Sequence, residues 1–228
     1  MPRNPLSSSD TKMIESAEIC RLNRRRRAIV DAALALFVVQ GFERTTLGDI
    51  VERAGGSLAT VYKLFGSKDG LFEEVVFAKA SSCEALIANA VEQGGPPEAM
   101  LHRIAEGLHA HFLDPEVVAL VRIVIARSIC DPGFASLFFE RTATRTRDLL
   151  EQIFASWKAS GVPMNGEPAL LAEMFLGLFV SDLHAEAISH GIAVTHSAER
   201  LRTRVNFFIV GAGLNAKRNL QPRSQDDS

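Results

Sequence analysis

The sequence is poor in cysteine. Its three cysteines, Cys20, Cys83 and Cys130, are odd in number, lie far apart, and form neither a CxxC pair nor a Cys/His zinc pattern. Such spacing favours neither a disulfide framework nor a structural zinc site. We expect reduced, partly buried thiols of a cytoplasmic protein in preference to a redox sensor.

Long apolar runs are also missing. No uninterrupted run reaches the roughly 18 residues that indicate a membrane-spanning helix. Residues 1 to 20 alternate polar and apolar side chains without the hydrophobic block of a signal peptide. We therefore expect no membrane association and a cytoplasmic location.

Familiar catalytic patterns are absent as well. The sequence has no GxSxG, HExxH, Walker A or GxGxxG motif, which removes common signatures of hydrolases, metalloproteases and nucleotide-binding enzymes. His109 and His111 are two residues apart, so they lie on different faces of a helix, and Asp182, His184 and Glu186 are spaced in the same way. We predict no enzyme activity, no metal site and no cofactor.

The charge of the chain is small overall and unevenly distributed. The 228 residues carry a formal net charge of −2. Between Arg21 and Lys68, however, nine basic residues stand against four acidic ones, a local charge of +5. A basic segment in an otherwise acidic protein indicates one region that contacts a polyanion.

Within this basic segment, residues 45 to 68 have the pattern of two short helices joined by a glycine turn. Thr46 is a suitable N-cap for the first helix, Gly55 and Gly56 end it, and Ser57 is a suitable N-cap for the second. This is the helix-turn-helix pattern, in which the second helix enters the major groove of DNA. Its predicted apolar positions are Ile50, Val51, Ala54, Val61, Leu64 and Phe65.

Around this motif the chain resembles the DNA-binding domain of the TetR/AcrR family of transcriptional regulators. The resemblance covers roughly residues 24 to 75 and rests on many residue types at fixed spacing. These are Ile29, Val30, Asp31, Ala32, Ala33, Leu36, Phe37, Gly41, Phe42, Thr46, Ile50, Ala54, Gly55, Ser57, Thr60, Tyr62, Phe65, Ser67, Lys68 and Leu71.

The resemblance implies two classes of DNA contact. The phosphate contacts would come from Thr46, Ser57, Tyr62 and Lys68, and the base edges would be faced by Leu58, Ala59, Thr60 and Lys63. The chemistry agrees, because hydroxyl groups suit phosphate oxygens, and a lysine suits the acceptor atoms of guanine. Two alternatives stay open: Tyr62 as a half-buried packing residue and Lys68 as a cap at the start of the following helix.

A run of four arginines precedes the first patterned helix. Because Arg24, Arg25, Arg26 and Arg27 adjoin the DNA-binding motif, phosphate or minor-groove contacts are favoured over a merely solvated charge run. Gly56 stands where the family commonly has valine, which predicts a looser turn.

The rest of the chain has a helical period throughout and no convincing strand. The predicted fold is all-α, with an N-terminal three-helix helix-turn-helix domain and a larger helical C-terminal domain for effector binding and dimerisation. The predicted divisions are a mobile arm (1–22), the DNA-binding domain (23–75), the C-terminal domain (76–218) and a disordered tail (219–228). Helices are predicted over residues 26–40, 46–54, 57–65, 68–91, 97–112, 115–130, 133–159, 166–190 and 197–215.

The last two predicted helices are apolar around most of their circumference. A helix of this kind must be buried on all sides, which indicates a subunit interface. The resemblance implies the same, since TetR-like proteins dimerise through their last two long helices. The segment from Phe112 to Val124, followed by Asp131 and Pro132, also resembles the AefR-like C-terminal branch of the family.

Large apolar side chains in the C-terminal half are mostly core residues, and some are candidates to line a cavity for an apolar or aromatic effector. The candidate ligand-binding residues are Phe112, Arg122, Phe138, Trp157, Phe175 and His184, with His109, Arg127 and Asp182 as further polar candidates. The resulting hypothesis is a homodimeric repressor that a small molecule releases from an inverted-repeat DNA operator. The alternatives are an activator or ligand-insensitive DNA binder, and a helical small-molecule carrier that does not bind DNA.

Overall fold

The computed structural model describes residues 8–192 and 196–215, with side chains from residue 17 onward. Across these residues the chain forms ten α-helices and no β-strand, so the all-α prediction is confirmed. The helices are α1 (Ser8–Gln40), α2 (Leu47–Ala54), α3 (Leu58–Phe65), α4 (Lys68–Glu92), α5 (Pro97–Phe112), α6 (Pro115–Cys130), α7 (Pro132–Arg141), α8 (Ala143–Ala159), α9 (Pro168–Ser189) and α10 (Ala198–Gly211).

The chain divides into two compact units between Val76 and Phe77, one residue from the predicted domain boundary. The division falls within α4. The predicted disordered tail, residues 219–228, and the first seven residues of the predicted arm lie outside the described residues.

The first helix begins much earlier than the sequence pattern predicted. We expected a mobile arm over residues 1–22 and a helix from Arg26, but α1 runs without a break from Ser8. The hydrophobic period fades before Arg26, which is why the prediction was wrong for residues 8–22. Because no glycine or proline occurs between Pro5 and Gly41, nothing in the local sequence ends the helix.

The first unit is built around a small aromatic core. Phe37 of α1, Phe42 of the following loop and Phe72 of α4 contact one another, with ring centroids 5.1 to 5.6 Å apart. Ile50 of α2 and Val61 of α3 are fully buried in the same unit. This packing fixes the two short helices, which by themselves are too short to be stable in water.

The second unit has one main core to which five helices contribute. Cys83 and Ile87 of α4, the buried face of α5, Phe154 of α8, and the inner faces of α9 and α10 pack together. The fully buried ring of Phe175 in α9 lies 6.4 Å from that of Phe154, centroid to centroid, and the ring of Phe179 lies 5.2 Å from that of Phe175. A smaller cluster joins Val117 and Val118 of α6 to Leu183 and Ala187 of α9.

A single helix was predicted over residues 133–159, but the structure has two, α7 and α8. The break is at Thr142, whose φ and ψ of −123° and −78° leave the helical region. The hydroxyl group of Thr142 donates to the carbonyl oxygen of Phe138 at 2.6 Å. Side-chain bonds of this kind compete with the helical backbone, and helical periodicity on both sides of Thr142 concealed the break.

Helix α9 is long and apolar enough to cross a membrane by length and composition. Glu173 and Asp182 interrupt its apolar sequence, so it contains no uninterrupted apolar run long enough to indicate a membrane-spanning helix. Phe175 and Phe179 of α9 are buried in the main core of the second unit. We therefore describe α9 as a core helix of the bundle.

Candidate nucleic-acid interface

The two short helices of the predicted motif are capped as the sequence indicated. The hydroxyl oxygen of Thr46 accepts from the main-chain N–H of Asp49 at 3.1 Å, and the carboxylate of Asp49 accepts from the main-chain N–H of Thr46 at 2.8 Å. This reciprocal arrangement is a capping box. The main-chain N–H of Thr46, together with its hydroxyl group, lowers the pKa of the Asp49 carboxyl.

Helix α3 has one buried side and one exposed side. Ser57 caps its start by accepting from the main-chain N–H of Thr60, and the two hydroxyl oxygens are 3.0 Å apart. Val61 is fully buried, whereas Tyr62 is 55% exposed. The predicted base-facing residues Leu58, Ala59 and Lys63 are likewise exposed, and Thr60 is half-buried.

This division places the predicted base-facing side chains on one accessible surface. With 55% of its surface exposed, Tyr62 is accessible from this surface and also fits the alternative of a half-buried packing residue, so both interpretations stay open. Thr46 and Ser57, predicted to contact phosphates, are also exposed at the starts of α2 and α3. Exposed hydroxyl groups at helix N-termini are suited to bind phosphate oxygens.

Arg25 of α1 holds the turn between α2 and α3. Its guanidinium group donates to the carbonyl oxygen of Ala54 at 3.1 Å and also to that of Gly55. The glycines of the turn have positive φ angles, +75° at Gly55 and +95° at Gly56. Sequence reasoning placed Arg25 among the DNA contacts and missed this internal role, because the contact partners are main-chain atoms 29 and 30 residues away.

Lys68, at the start of α4, holds the loop that follows α1. Its ammonium group donates to the carbonyl oxygens of Phe42, Thr45 and Glu43 at 2.8, 3.0 and 3.4 Å. The same nitrogen lies 4.2 Å from the centroid of the Phe42 ring. Three donors facing three carbonyl groups use the hydrogen-bonding capacity of a lysine, so the structure favours a stabilising role for Lys68 over a phosphate contact.

The remaining arginines of the run differ in their environments. Arg26 forms an ion pair with Glu74 of α4 at 2.7 Å and lies over the ring of Phe65. Arg24 and Arg27 are exposed. Of the four predicted contacts, Arg24 and Arg27 therefore have the most accessible guanidinium groups.

The six predicted ligand-binding residues are distributed over five helices of the second unit, α5 to α9. Trp157 and Phe175 both contact Phe154 within the main core. Arg122 donates to the carbonyl oxygens of Ala187 and Glu186, near the end of α9. The others are spread over three helices: Phe112 on α5 packs against both clusters, Phe138 on α7 lies against Phe134, and His184 is exposed on α9.

A groove of about 830 Å³ lies instead between α4 and α5, and none of those six residues lines it. Sequence reasoning missed it because its walls are mainly small or polar residues, not the large aromatic ones that were selected. The lining consists of Ser82, Ala85, Leu86, Asn89, Ala90, Gln93, Arg103, Glu106, Gly107, Ala110 and His111.

The fold also assembles a cluster of ligand-type side chains that sequence spacing did not predict. One ligand atom each from His109 of α5, Asp182 of α9 and His196, before α10, lie within 4.8 Å of one another. Burial lowers the pKa of His109, and the neighbouring His196 lowers it further. The sequence predicted no metal site because these residues are far apart in the chain.

Comparison with known sequences covers both units. The profile of the tetR family of bacterial regulatory proteins matches residues 29–75, and that of the AefR-like transcriptional repressor C-terminal domain matches residues 99–209. The repressor ComR of Escherichia coli is 43% identical over 51 residues, 22% of this chain and 24% of ComR. The regulator BetI of Agrobacterium fabrum is 31% identical over 96 residues, 42% of this chain and 47% of BetI. The matched region thus spans between a quarter and a half of the length of these relatives.

Solved structures match over nearly their whole length. A TetR-family transcriptional regulator from Mesorhizobium loti is 27% identical with a TM-score of 0.74, covering 83% of this chain and 97% of its own. The flavonoid-responsive regulator FrrA is also 27% identical, with a TM-score of 0.63, covering 89% of this chain and 100% of its own. With the helix-turn-helix unit and the helical second unit both matched, the chain belongs to the TetR family of bacterial transcriptional regulators.

Proposed function

We propose that the protein is a transcriptional repressor that binds an inverted-repeat operator as a homodimer and releases it when a small apolar or aromatic effector binds. The observation that carries this proposal is the geometry of α3, which buries Val61 and exposes Leu58, Ala59, Tyr62 and Lys63 on one surface. The description of the matching C-terminal family as a repressor domain supports the direction of regulation. Its site of action would be the cytoplasm, where the chromosome lies.

In this proposal the contacts divide by chemistry. Thr46, Ser57 and Tyr62 would hold phosphates and set the position of α3, since hydroxyl contacts to phosphate carry no sequence information. Lys63 would donate to guanine O6 or N7, and Leu58 and Ala59 would contact thymine methyl groups. Arg24 and Arg27 would add phosphate or minor-groove contacts beside the motif. Arg25, Arg26 and Lys68 would act mainly by keeping the domain rigid.

The dimer would form through the outer faces of α9 and α10. Along α9, exposed residues recur at helical spacing, with Leu170, Met174 and Ile188 as the apolar members and Gly177 and Ser181 as small residues between them. On α10, Phe207 and Val210 are exposed. Small residues between larger apolar ones would allow two helices to approach closely. Exposed apolar residues grouped on two helices in this way support an interaction site.

The effector would bind in the groove between α4 and α5. Leu86, Ala85 and Ala110 provide apolar contacts there, and Asn89, Arg103 and Glu106 provide polar ones. Such a mixture suits an aromatic compound with a few hydroxyl groups, and the similar regulator FrrA is described as flavonoid-responsive. The effector must bind the DNA-free conformation more tightly than the DNA-bound one, because equal affinity for both would leave the equilibrium between them unchanged.

The test is a fluorescence-anisotropy titration with DNA from upstream of the protein's own gene. We expect tight binding to a site with two inverted half-sites, much weaker binding to one isolated half-site, and loss of sequence preference on Lys63→Met. Equal affinity for a single half-site and for unrelated DNA would overturn the proposal.

The effector step is tested separately by adding flavonoids to the DNA complex. We expect at least one compound to release the DNA, and Ala110→Trp, which fills the groove, to remove this response while DNA binding persists. Ala159→Trp, at an exposed position of α8, is the matched control. Release that is unaffected by Ala110→Trp would place the effector elsewhere.

A further inference from the structure

We propose that the second unit binds a divalent transition-metal ion such as Zn²⁺, with His109, Asp182 and His196 as ligands and Glu186 as the residue that orients His196. This site is independent of the proposed DNA binding and of the groove between α4 and α5. It joins three segments of the second unit: α5, α9 and the residues that precede α10.

The first support is that the ligand atoms of the three side chains lie close together. One ligand atom of each residue lies within 4.8 Å of the other two. In a tetrahedral zinc site with bonds of about 2.0 to 2.1 Å the ligand atoms are ~3.3 Å apart, so the three groups must close by only ~1 to 1.5 Å. Asp182 is 4% exposed and both histidines are half-buried, so the ion would be largely shielded from solvent.

The second support is the hydrogen bonding of His196. Its Nε2 atom lies 3.3 Å from a carboxylate oxygen of Glu186. Its Nδ1 atom is buried and has no hydrogen-bond partner within the part of the chain that the structure describes. A histidine that donates one ring N–H to a carboxylate and leaves the other nitrogen with a free lone pair is arranged as a metal ligand.

Two arginines of α10 compete with the ion for the carboxylate of Asp182, and the ion can bind there only if one of them can move away. Arg204 donates to the carboxylate of Asp182, and it is also held by the carbonyl oxygen of Leu178 and the hydroxyl group of Ser181. Arg200 contacts Asp182 at 3.3 and 3.5 Å and is 42% exposed. Arg200 can therefore move into solvent and give its place on the carboxylate to the ion, while Arg204 stays.

Metal selectivity follows from the ligand types. Two imidazoles and a carboxylate suit zinc, cobalt, nickel and copper, whereas magnesium and calcium prefer oxygen ligands only. Neutral imidazole is required for coordination. Cobalt(II) is the practical probe, because it takes the same geometry as zinc and its coordination is visible in the absorption spectrum.

The experiment uses the full chain without an affinity tag, after removal of bound metal with a chelator. Cobalt(II) is titrated while visible absorption is recorded, and zinc is then added as a competitor. We expect about one equivalent of cobalt(II) in a low-coordinate environment, displaced by zinc. Glu186→Gln, which acts through His196, should weaken binding by ~10- to 100-fold, and His109→Gln and His196→Gln, which each remove a ligand, should weaken it more.

Two further variants separate a metal site from a purely structural cluster. His184→Gln, at an exposed position of α9, the helix that carries Asp182, should bind cobalt(II) like the unmodified chain. Arg200→Gln should bind it more tightly, because a competing charge is removed from Asp182. The absence of stoichiometric binding, or binding that is unchanged in both His109→Gln and His196→Gln, would overturn the proposal. Circular dichroism of each variant checks that it is folded.

Discussion

The guanidinium group of Arg25 occupies the space that a side chain at Gly56 would fill: a β-carbon on Gly56 would lie 1.5 Å from the Nη2 atom of Arg25. The guanidinium group of Arg25 lies against the turn because no side chain occupies that position. From there it donates to the carbonyl oxygens of Ala54 and Gly55. Glycine at this position, where the family commonly has valine, therefore leaves room for a stabilising contact from α1. The expectation of a looser turn, drawn from the glycine alone, is not supported.

We predict that Arg25→Ala and Gly56→Ala are coupled. Gly56→Ala should destabilise the protein by ~1 to 2 kcal/mol, because its φ of +95° strains any side chain. Arg25→Ala should cost ~1 kcal/mol through its lost hydrogen bonds. Together they should cost less than the sum, because alanine at position 56 already displaces the guanidinium group. Chemical denaturation of the four proteins measures this, and strict additivity would contradict the contact.

A matched pair of lysines separates stability from DNA recognition. Lys68 donates to three carbonyl groups, so Lys68→Met should destabilise the protein by ~1 to 3 kcal/mol, through carbonyl groups left without a donor. Lys63 is exposed on α3, so Lys63→Met should leave stability unchanged and weaken operator binding by ~1 to 3 kcal/mol.

The two measurements for this pair are thermal unfolding and operator binding at fixed salt concentration. A Lys68→Met protein with unchanged stability, but with weaker binding to all DNA sequences alike, would restore the original assignment of Lys68 as a phosphate contact.

The proposed dimer interface is tested at an exposed aromatic residue. Phe207 of α10 is 76% exposed in the single chain, so Phe207→Glu should leave the fold of each chain intact. In a dimer, however, the carboxylate would be buried, and we expect dimerisation to weaken by ~3 kcal/mol or more. Sedimentation velocity measures the change.

The control for this substitution is Ile129→Glu, at a similarly exposed position of α6. It should remain dimeric. A Phe207→Glu protein that stays dimeric at low micromolar concentration would place the interface elsewhere.

The cysteines should differ in reactivity. Burial, together with the negative charge of the neighbouring Glu84, raises the pKa of Cys83 to about 12. The reactive species is the thiolate, and at pH 8 a thiol with this pKa is only ~0.01% ionised. Cys20 and Cys130 are exposed. A thiol reagent should therefore modify Cys20 and Cys130 quickly in the folded protein and Cys83 only after unfolding. In the Cys83→Ala protein, unfolding should expose no further reactive thiol. Rapid modification of Cys83 in the folded protein would contradict the prediction.

The two short helices, α2 and α3, show why part of the site could be predicted from the sequence. Capping by Thr46 and Ser57, the glycines of the turn and the exposure of Lys63 all depend on residues within a few positions of one another, and each was predicted correctly. The internal contacts of Lys68 and Arg25 were not predicted, for the opposite reason. Their partners are carbonyl groups 23 to 30 residues away, and the local sequence contains no information about which main-chain atoms will lie nearby.

The amino-acid sequence by itself determined the helical class, the position of the helix-turn-helix motif and the family, because these depend on local capping, spacing and hydrophobic period. Only the tertiary structure decided which charged groups are engaged inside the molecule, where the groove lies, and that His109, Asp182 and His196 meet. The physical reason is that each of these depends on the packing of helices distant in the chain, and many different packings are compatible with the same apolar faces.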